Sequence, residues 1–297
     1  MKRTDVIDIV LFFTMAIIWG VTWPVLVIAL RYFSPMSLAA GRNIVGAFAL
    51  GCVLIFQKKE RPRSAKEILF YSGLGIVWIT IPYAMAYWAL QYTSGGIAAV
   101  LTTANTFFVI LFSVLFLKEE QLTVPKISGV LLGFLGVLCI FSDKIYNASP
   151  MSLTANVVLF ISSSFSAFGM VVAKRFTPPT SPYSSTALMM LSAGIVLFAL
   201  SAGTEHPMRY DFSPAAAGVM LYLGLLSSAV GFYMYMTLLH RVDAVKLSMV
   251  GFVVPVISIS VGAVWLGESI STNEVIGTLG VFAGLAIVNI KKLFSSH

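Results

Sequence analysis

Ten long apolar blocks, separated by short polar segments, make up almost the whole of this sequence. About 20 consecutive apolar residues span the hydrocarbon core of a bilayer as a helix. The blocks are continuously apolar, whereas the strands of a membrane barrel alternate apolar and polar residues over about ten positions. With only 10% charged residues, the chain has too little polar surface for a soluble domain of this size. The sequence therefore predicts an all-α membrane protein with ten transmembrane helices.

The expected spans fall into two sets of five. The first repeat, residues 1–149, has spans near 6–30, 37–56, 68–90, 97–117 and 127–141. The second repeat, residues 150–297, has spans near 154–172, 184–201, 215–239, 247–266 and 275–290. A shift of 148 residues superposes the two sets and aligns Tyr87 with Tyr235 and Gly136 with Gly284. Because five is odd, the second set enters the membrane from the opposite side. Inverted repeats of this kind are typical of secondary transporters, with the substrate site between the repeats.

Basic residues set the expected orientation, because they accumulate in cytoplasmic loops. Of the 19 lysines and arginines, 15 lie on the cytoplasmic side when the N-terminus is cytoplasmic. Arg31, Lys144 and Arg209 lie on the other side, and Arg42 falls inside the second span. Both termini are therefore expected in the cytoplasm and the chain in the plasma (inner) membrane. The short basic runs do not form the clustered face that nucleic acid binding requires, so no nucleic acid partner is expected.

Several motifs resemble those of a known family. They are WGVTWP at Trp19 to Pro24, Arg42 early in the second span, and a Glu-x-Leu/Ile-Thr/Ser stretch after the fourth and ninth spans. A glycine-spaced span follows each of these stretches. In these features the chain resembles, over nearly its whole length, the EamA-type permeases, the ten-helix branch of the drug/metabolite transporter superfamily. The resemblance implies transport, with export of amino acids or related metabolites.

Polar and aromatic side chains near the middle of several spans are the candidate substrate contacts. An unpaired polar group facing lipid is costly, so such groups are expected to face protein or a hydrated cavity. The candidates are Trp19, Trp23, Arg42, Trp78, Tyr83, Asn105, Ser163, Ser164, Ser227 and Ser258. Taken singly, serines are more often explained by helix packing, and tryptophans also favour membrane interfaces. The common depth of the set is the stronger indication of a binding site.

Arg42 allows two interpretations. A charge inside the membrane is a functional candidate, here for contact with a substrate carboxylate. Arg42 also lies about 8 Å from the outer end of its span, at 1.5 Å per residue. From there its long side chain could reach the outer surface as a structural anchor. The sequence leaves both interpretations open.

Prolines and glycines within the spans are expected to shape the helices. A proline inside a span removes a backbone hydrogen bond and permits a kink. The candidate hinges are Pro24, Pro82 and Pro255. Gly129 and Gly133 in the fifth span, and Gly280 and Gly284 in the tenth, form GxxxG pairs that let helices approach closely. These pairs indicate close helix packing and are also compatible with a homodimer through helices five and ten.

The sequence lacks the signatures of several other functions. No carboxylate falls in the middle of a span, although proton-driven efflux of cations usually requires one. No phosphate-binding glycine loop, HExxH zinc pair or GxSxG motif is present. No catalytic residue, metal site or cofactor is therefore expected. The sequence predicts a permease that exports small amphipathic metabolites, amino acids foremost, by alternating access. A multidrug exporter is the alternative, and an intramembrane enzyme is a remote one.

Overall fold

The computed structural model describes residues 3–56, 64–93, 98, 101–117, 123–142, 150–176, 181–266 and 272–294. Within these residues the consecutive helical stretches join into ten helices. The first five are α1 (Arg3–Ala29), α2 (Pro35–Phe56), α3 (Ala65–Gly75, Ile76–Thr80 and Ile81–Ala89), α4 (Asn105–Phe116) and α5 (Val124–Phe141). The second five are α6 (Pro150–Phe176), α7 (Pro182–Thr204), α8 (Pro214–Leu221, Tyr222–Val230 and Gly231–Leu239), α9 (Ala244–Ser248 and Val250–Leu266) and α10 (Thr272–Phe294).

In the described part of the chain, six helices are long and apolar enough to cross a bilayer. These are α1, α2, α3, α6, α7 and α8, with apolar lengths of 22 to 26 residues. The apolar parts of α4, α5, α9 and α10 are shorter. A helix satisfies its backbone polar groups internally, which is why continuous apolar blocks adopt this form in lipid. Large apolar side chains such as Phe48 (74% exposed) cover the outside. The expectation of an all-α membrane protein is confirmed.

Two helices are interrupted near the centre of the bundle. In the expected span 97–117, residues 98, 101 and 102 are helical, the chain turns at residues 103–104, and α4 begins after this turn at Asn105. The ninth helix is interrupted at Met249. The hydroxyl of Thr106 donates to the carbonyl oxygen of Ser248 over 3.1 Å, so the two interruptions lie side by side. Broken helices of this kind expose backbone groups where they line a cavity.

The packing of the helices is symmetric between the two sets of five: exchanging α1–α5 with α6–α10 gives the same pairs of packed helices. Helix α1 packs on α9, and α6 packs correspondingly on α4. Helix α3 packs on α6 as α8 packs on α1, and α2 packs on α8 as α7 packs on α3. The pairs α2–α7 and α5–α10 map onto themselves. Each half therefore completes its packing with helices of the other half.

The α5–α10 pair crosses in antiparallel directions through its glycines. A Cβ on Gly129 would meet Gly284 and Val288, whereas a Cβ on Gly136 would meet Gly277. Residue numbers thus rise along one helix as they fall along the other. Helices α2 and α7 are antiparallel as well. The glycine faces pack against each other within the chain, so a homodimer through these helices would have to use their remaining faces.

Helices α3 and α8 each contain a π-helical stretch near the middle, Ile76–Thr80 and Tyr222–Val230. After each stretch, a backbone N–H donates to the carbonyl oxygen five residues earlier. Pro82 explains the first stretch, because it has no N–H to donate to the carbonyl of Trp78. The second stretch contains no proline. Such wide turns are rare and occur frequently at functional sites.

Candidate substrate-binding cavity

The centre of the bundle encloses a cavity of about 240 Å³ that is lined by side chains from seven helices. The helices are α1, α2, α3, α4, α6, α8 and α9. Aromatic rings and hydroxyl groups predominate in the lining. Both interrupted helices contribute at their breaks, through Thr102 and Asn105 on one side and Ser248 and Gly251 on the other. Among the described lining residues, Arg42 is the single charged side chain.

The cavity brings together most of the candidate contacts expected from the sequence. They are Trp19, Trp23, Arg42, Trp78, Tyr83, Asn105, Ser163 and Ser227. Ser164 does not line the cavity, because the lining face of α6 runs through Ser162, Ser163 and Ser166. Ser258 does not line it either, because α9 reaches the cavity only near its start, up to Val254.

The three candidate hinges differ in their positions relative to the cavity. Pro82 is in the lining, two residues after the π-helical stretch of α3. Pro24 and Pro255 lie inside α1 and α9, outside the lining. Pro255 leaves the carbonyl of Gly251, four residues earlier, without its helical donor. That carbonyl lies close to the break at Met249, so proline and break belong to one irregular segment.

Several lining residues were not expected from the sequence. Helical periodicity would have indicated Ser166, which follows Ser162 by one turn. The repeat alignment would have indicated Tyr87 and Tyr235, which occupy equivalent positions and both line the cavity. No signal in the sequence distinguishes Phe232 from the many other phenylalanines of the spans.

Arg42 is held inside the bundle and does not reach the protein surface, since only 3% of the residue is exposed. Its Nε donates to Ser228 Oγ, its Nη1 to the Tyr87 hydroxyl and its Nη2 to Ser227 Oγ, each over 2.8 Å. The guanidinium carbon lies 5.2 Å from the centre of the Tyr83 ring. Helices α2, α3 and α8 are therefore joined through one cation.

The partners of this cation are electrically neutral. Among the residues that the structure describes, the salt bridges join other groups and none includes Arg42. A guanidinium has five N–H donors, of which three are used here, so that one remains on each terminal nitrogen. A cation buried among neutral groups favours an anion, and the planar fork of arginine matches a carboxylate. The arrangement can thus bind a carboxylate.

Four aromatic rings form a second feature of the lining, the ring cluster of Trp19, Trp78, Phe232 and Tyr235. The tryptophan ring centres lie 5.4 to 6.1 Å from those of Phe232 and Tyr235. Trp19 Nε1 donates to the carbonyl oxygen of Ser227 over 3.0 Å. The cluster therefore presents an apolar wall whose orientation is fixed by packing and by this bond.

One end of the bundle, here called the basic end, collects charged side chains from several helices. They are Asp8, Lys126, Lys174, Arg241, Asp243 and Lys246. Arg241 forms a 3.1 Å salt bridge with Asp8 of α1, and Asp243 forms a 3.2 Å salt bridge with Lys126 of α5. Lys174 of α6 donates to the carbonyl of Val242. The loop between α8 and α9 is thereby fastened to three other helices.

Electrostatics at the basic end favour charged Asp243. Burial alone would raise the pKa of Asp243, but the positive charge of Lys126, with those of Lys246 and Lys174, lowers this pKa below its ordinary value. Burial, together with the charge of Lys174, lowers the pKa of the nearby His240, which is therefore neutral at pH 7.

Replacing Asp243 by asparagine is expected to loosen the basic end. Because the pKa of Asp243 is lowered on folding, its contribution to the stability of the fold is present above about pH 4, near its unfolded pKa. This contribution is lost as pH falls through the folded pKa. For a partly exposed ion pair we expect an unfolding temperature about 1–3 °C lower at pH 7. The difference from the wild type is expected to disappear as pH falls through the lowered pKa of Asp243.

A double-variant comparison provides the control for this ion pair. Lys126→Gln, Asp243→Asn and the double variant are expected to show less than additive effects on the unfolding temperature, because the single changes remove the same contact. Additive effects on the unfolding temperature would contradict a stabilising ion pair between Lys126 and Asp243.

At the opposite end of the bundle, hydrogen bonds join two loops and cap a helix. Glu205 accepts hydrogen bonds from the backbone N–H groups of Met36 (2.7 Å) and Ser37 (3.1 Å) and thereby caps the first turn of α2. The backbone of Ser34 donates to the carbonyl of Arg209 over 3.1 Å, and the Arg209 N–H donates to Ser34 Oγ over 2.8 Å. The loops that follow α1 and α7 are therefore joined.

Comparison with known proteins gives a consistent family assignment. Residues 6–142 and 153–290 each match the model of the EamA-like transporter family. The chain is 24% identical to "Uncharacterized transporter" of Archaeoglobus fulgidus, over 91% of this chain and 94% of the relative. It is 28% identical to "Uncharacterized inner membrane transporter YedA" of Escherichia coli, over 95% of this chain and 90% of the relative.

The fold is also shared with a solved structure. The chain superposes on the crystal structure of another protein with a TM-score of 0.82 at 16% identity, covering 99% of this chain and 100% of that one. Two family matches in succession, together spanning far more than half of the sequence, agree with the duplicated helix packing. This multi-pass membrane protein belongs to the EamA-like transporter family and is a transporter, not an enzyme.

Proposed function

We propose that the protein exports small amphipathic metabolites, amino acids foremost, by alternating access through the central cavity. The observation that carries the proposal is Arg42, a buried cation with neutral partners and unused donors in a cavity of about 240 Å³. The hydroxyls of Ser163 and Ser227 and the amide of Asn105 are the further polar contacts, and Trp19, Trp23, Trp78 and Tyr83 provide the walls. No bound cofactor takes part in this scheme.

Cavity size and charge favour a small solute with a carboxylate over a large cationic drug. Pockets for drug-sized ligands enclose roughly 300–1,000 Å³, and this cavity is smaller. Among the described lining residues there is no carboxylate to balance a cationic solute. Arg42 would repel such a solute. Both observations weigh against the multidrug alternative.

The antiparallel crossing of equivalent helices supports an inverted arrangement of the repeats. Helix α5 corresponds to α10 and α2 to α7 under the 148-residue shift, and each pair runs in opposite directions. Two copies of one helix set that are related in this way can exchange their conformations, one copy adopting the shape of the other. Such an exchange would open the cavity first to one side of the membrane and then to the other.

The contacts at the two ends of the bundle support the expected orientation. Residues assigned to the cytoplasm by the basic-residue rule, such as Lys126 and Arg241, meet at the basic end. Residues assigned to the outside, such as Ser34 and Arg209, meet at the opposite end. We propose that both termini are cytoplasmic and that the protein resides in the plasma (inner) membrane.

Reporter fusions test this topology. Fusions at residues 60 and 175 are both expected to report the cytoplasm, and a fusion at residue 146 the outside, because three spans lie between residues 60 and 146 and four between residues 60 and 175. Fusions at 60 and 175 on opposite sides would contradict the inverted arrangement.

Counterflow in liposomes tests the transport proposal. Purified protein in vesicles loaded with one unlabelled amino acid is expected to accumulate the same labelled amino acid transiently and saturably, for at least one member of a 20-member panel. Protein-free vesicles are the control. Saturable exchange of unrelated cationic dyes with no exchange of amino acids would overturn the amino-acid proposal and favour multidrug export.

A further inference from the structure

The cavity has chemically different features at two levels of the same helices. On α3, Trp78 of the ring cluster and Tyr87 of the Arg42 site are nine residues apart, about 13 Å along a helix. On α8, Tyr235 of the ring cluster and Ser227 of the Arg42 site are eight residues apart, about 12 Å. The two helices agree, so Trp78 and Tyr235 lie well away from the guanidinium on the same side of it, whereas Trp19, which donates to the carbonyl of Ser227, marks the near edge of the ring cluster.

From this arrangement we infer that the transporter selects carboxylates whose other end is an aromatic or large apolar group. The inference rests on the proposed transport function and specifies its substrate class. The carboxylate accepts hydrogen bonds from the two unused N–H groups of Arg42. The apolar body lies against the ring cluster, where Trp78, Phe232 and Tyr235 are each at most 7% exposed in the substrate-free protein.

The position of an amino group follows from the geometry of the solute. In an α-amino acid the ammonium is bonded to the same carbon as the carboxylate, so it stays near Arg42 and away from Trp78 and Tyr235. Its acceptor is a hydroxyl oxygen of the lining such as Ser163 Oγ, because Ser227 Oγ already accepts from Arg42 and Thr22. The amino acid side chain is the part that extends towards the rings. A short side chain leaves the ring faces without a partner, which lowers affinity.

A solute that carries only a cation is the competing possibility, because ring faces also attract cations. Arg42 opposes such a solute, since like charges in a partly desolvated cavity repel each other. The lining hydroxyls offer no compensating negative charge. A matched series of ligands separates the two possibilities.

The test is ligand binding to the purified full-length protein, measured by the fluorescence of its tryptophans. The ligands are L-phenylalanine, phenylalaninamide without the carboxylate, 3-phenylpropionate without the ammonium, phenethylamine, and L-alanine without the apolar body. We expect phenylalanine and 3-phenylpropionate to bind at least tenfold more tightly than the other three. Equal affinity for phenylalanine and phenylalaninamide, or for phenylalanine and alanine, would overturn the inference.

Two variants assign one end of the ligand to Arg42 and the other end to the ring cluster. Arg42→Lys keeps the charge but loses the fork, and we expect it to reduce the preference for phenylalanine over phenylalaninamide. Phe232→Leu keeps an apolar side chain but removes a ring, and we expect it to reduce the preference for phenylalanine over alanine while the carboxylate preference stays. Arg31→Gln removes an exposed arginine outside the cavity and is expected to change neither ratio. A shift of both ratios by either cavity variant would contradict the assignment.

Counterflow distinguishes failure of this inference from failure of the proposed function. If phenylalaninamide exchanges as fast as phenylalanine, the selection for carboxylates is wrong and amino-acid transport stands. If the binding series holds but no member exchanges across the vesicle membrane, the cavity selects as inferred and the proposed transport of amino acids is wrong.

Discussion

Exchange of Arg42 for glutamine is expected to reduce saturable transport by about 100-fold, while the protein remains folded. The change removes the single charged group among the described lining residues and its donors to a carboxylate. A hydrogen bond between charged groups contributes up to about 3 kcal/mol, which corresponds to a factor of roughly 100 in affinity or rate. Initial rates of labelled amino acid uptake into counterflow vesicles measure the effect.

The unfolding temperature of Arg42→Gln distinguishes a binding role from a structural one. A cation buried among neutral partners carries a desolvation cost that glutamine removes. We therefore expect the temperature to stay within about 3 °C of the wild type, or to rise. Arg31→Gln, an exposed arginine, is the matched control for the loss of one positive charge. Unimpaired flux, or a large fall in unfolding temperature, would show that Arg42 is not primarily a substrate contact.

Exchange of Gly284 for leucine is expected to give the largest loss of stability. A Cβ at this position would lie 2.4 Å from the carbonyl oxygen of Gly129 and 2.8 Å from the backbone nitrogen of Gly133. These are backbone atoms of α5, so the clash is relieved only if the two helices separate. Overpacking costs about 1–3 kcal/mol or more, and we expect an unfolding temperature about 5–10 °C lower and a reduced yield of folded protein.

Gly218 in α8 provides the control for this substitution. A Cβ at Gly218 meets no atom within 4 Å, so Gly218→Leu introduces the same side chain without a clash. We expect its unfolding temperature and yield to match the wild type. If the two leucine variants behave alike, close glycine packing does not hold α5 against α10.

The sequence predicts the helices well because the bilayer restricts the possible structures. A backbone that crosses lipid must bond to itself, so a continuous apolar block can only be a helix. The turn at residues 103–104, inside the expected span 97–117, was not predicted, although Thr102, Thr103 and Asn105 lie close together there. Polar residues at these positions are compatible with a continuous helix or with a break. In the structure the break is accompanied by a hydrogen bond from Thr106 to Ser248 of α9.

The binding site was predictable in composition but not in detail. Polar residues at mid-span indicated the cavity, whereas the choice between Ser163 and Ser164 depends on how α6 is rotated against its neighbours. The partners of Arg42 could not be found either, because Ser227 lies 185 residues away in the chain. Local patterns carry no information on such distant pairs. The alignment of the two repeats relates Tyr87 to Tyr235 of α8, but it does not indicate that Tyr87 bonds to Arg42.

The wide turns of α3 and α8 have a consequence for how these helices respond to a solute. A turn that closes over five residues holds one residue more than a regular turn, and each residue advances the helix by about 100°. Ser227 and Ser228, which hold the guanidinium, lie inside the wide segment of α8, and Trp78 lies inside that of α3. If the surplus residue moved along either helix, the side chains facing the solute would rotate with it. Binding of a solute in the cavity would then be coupled to the rotation of the side chains along α3 and α8.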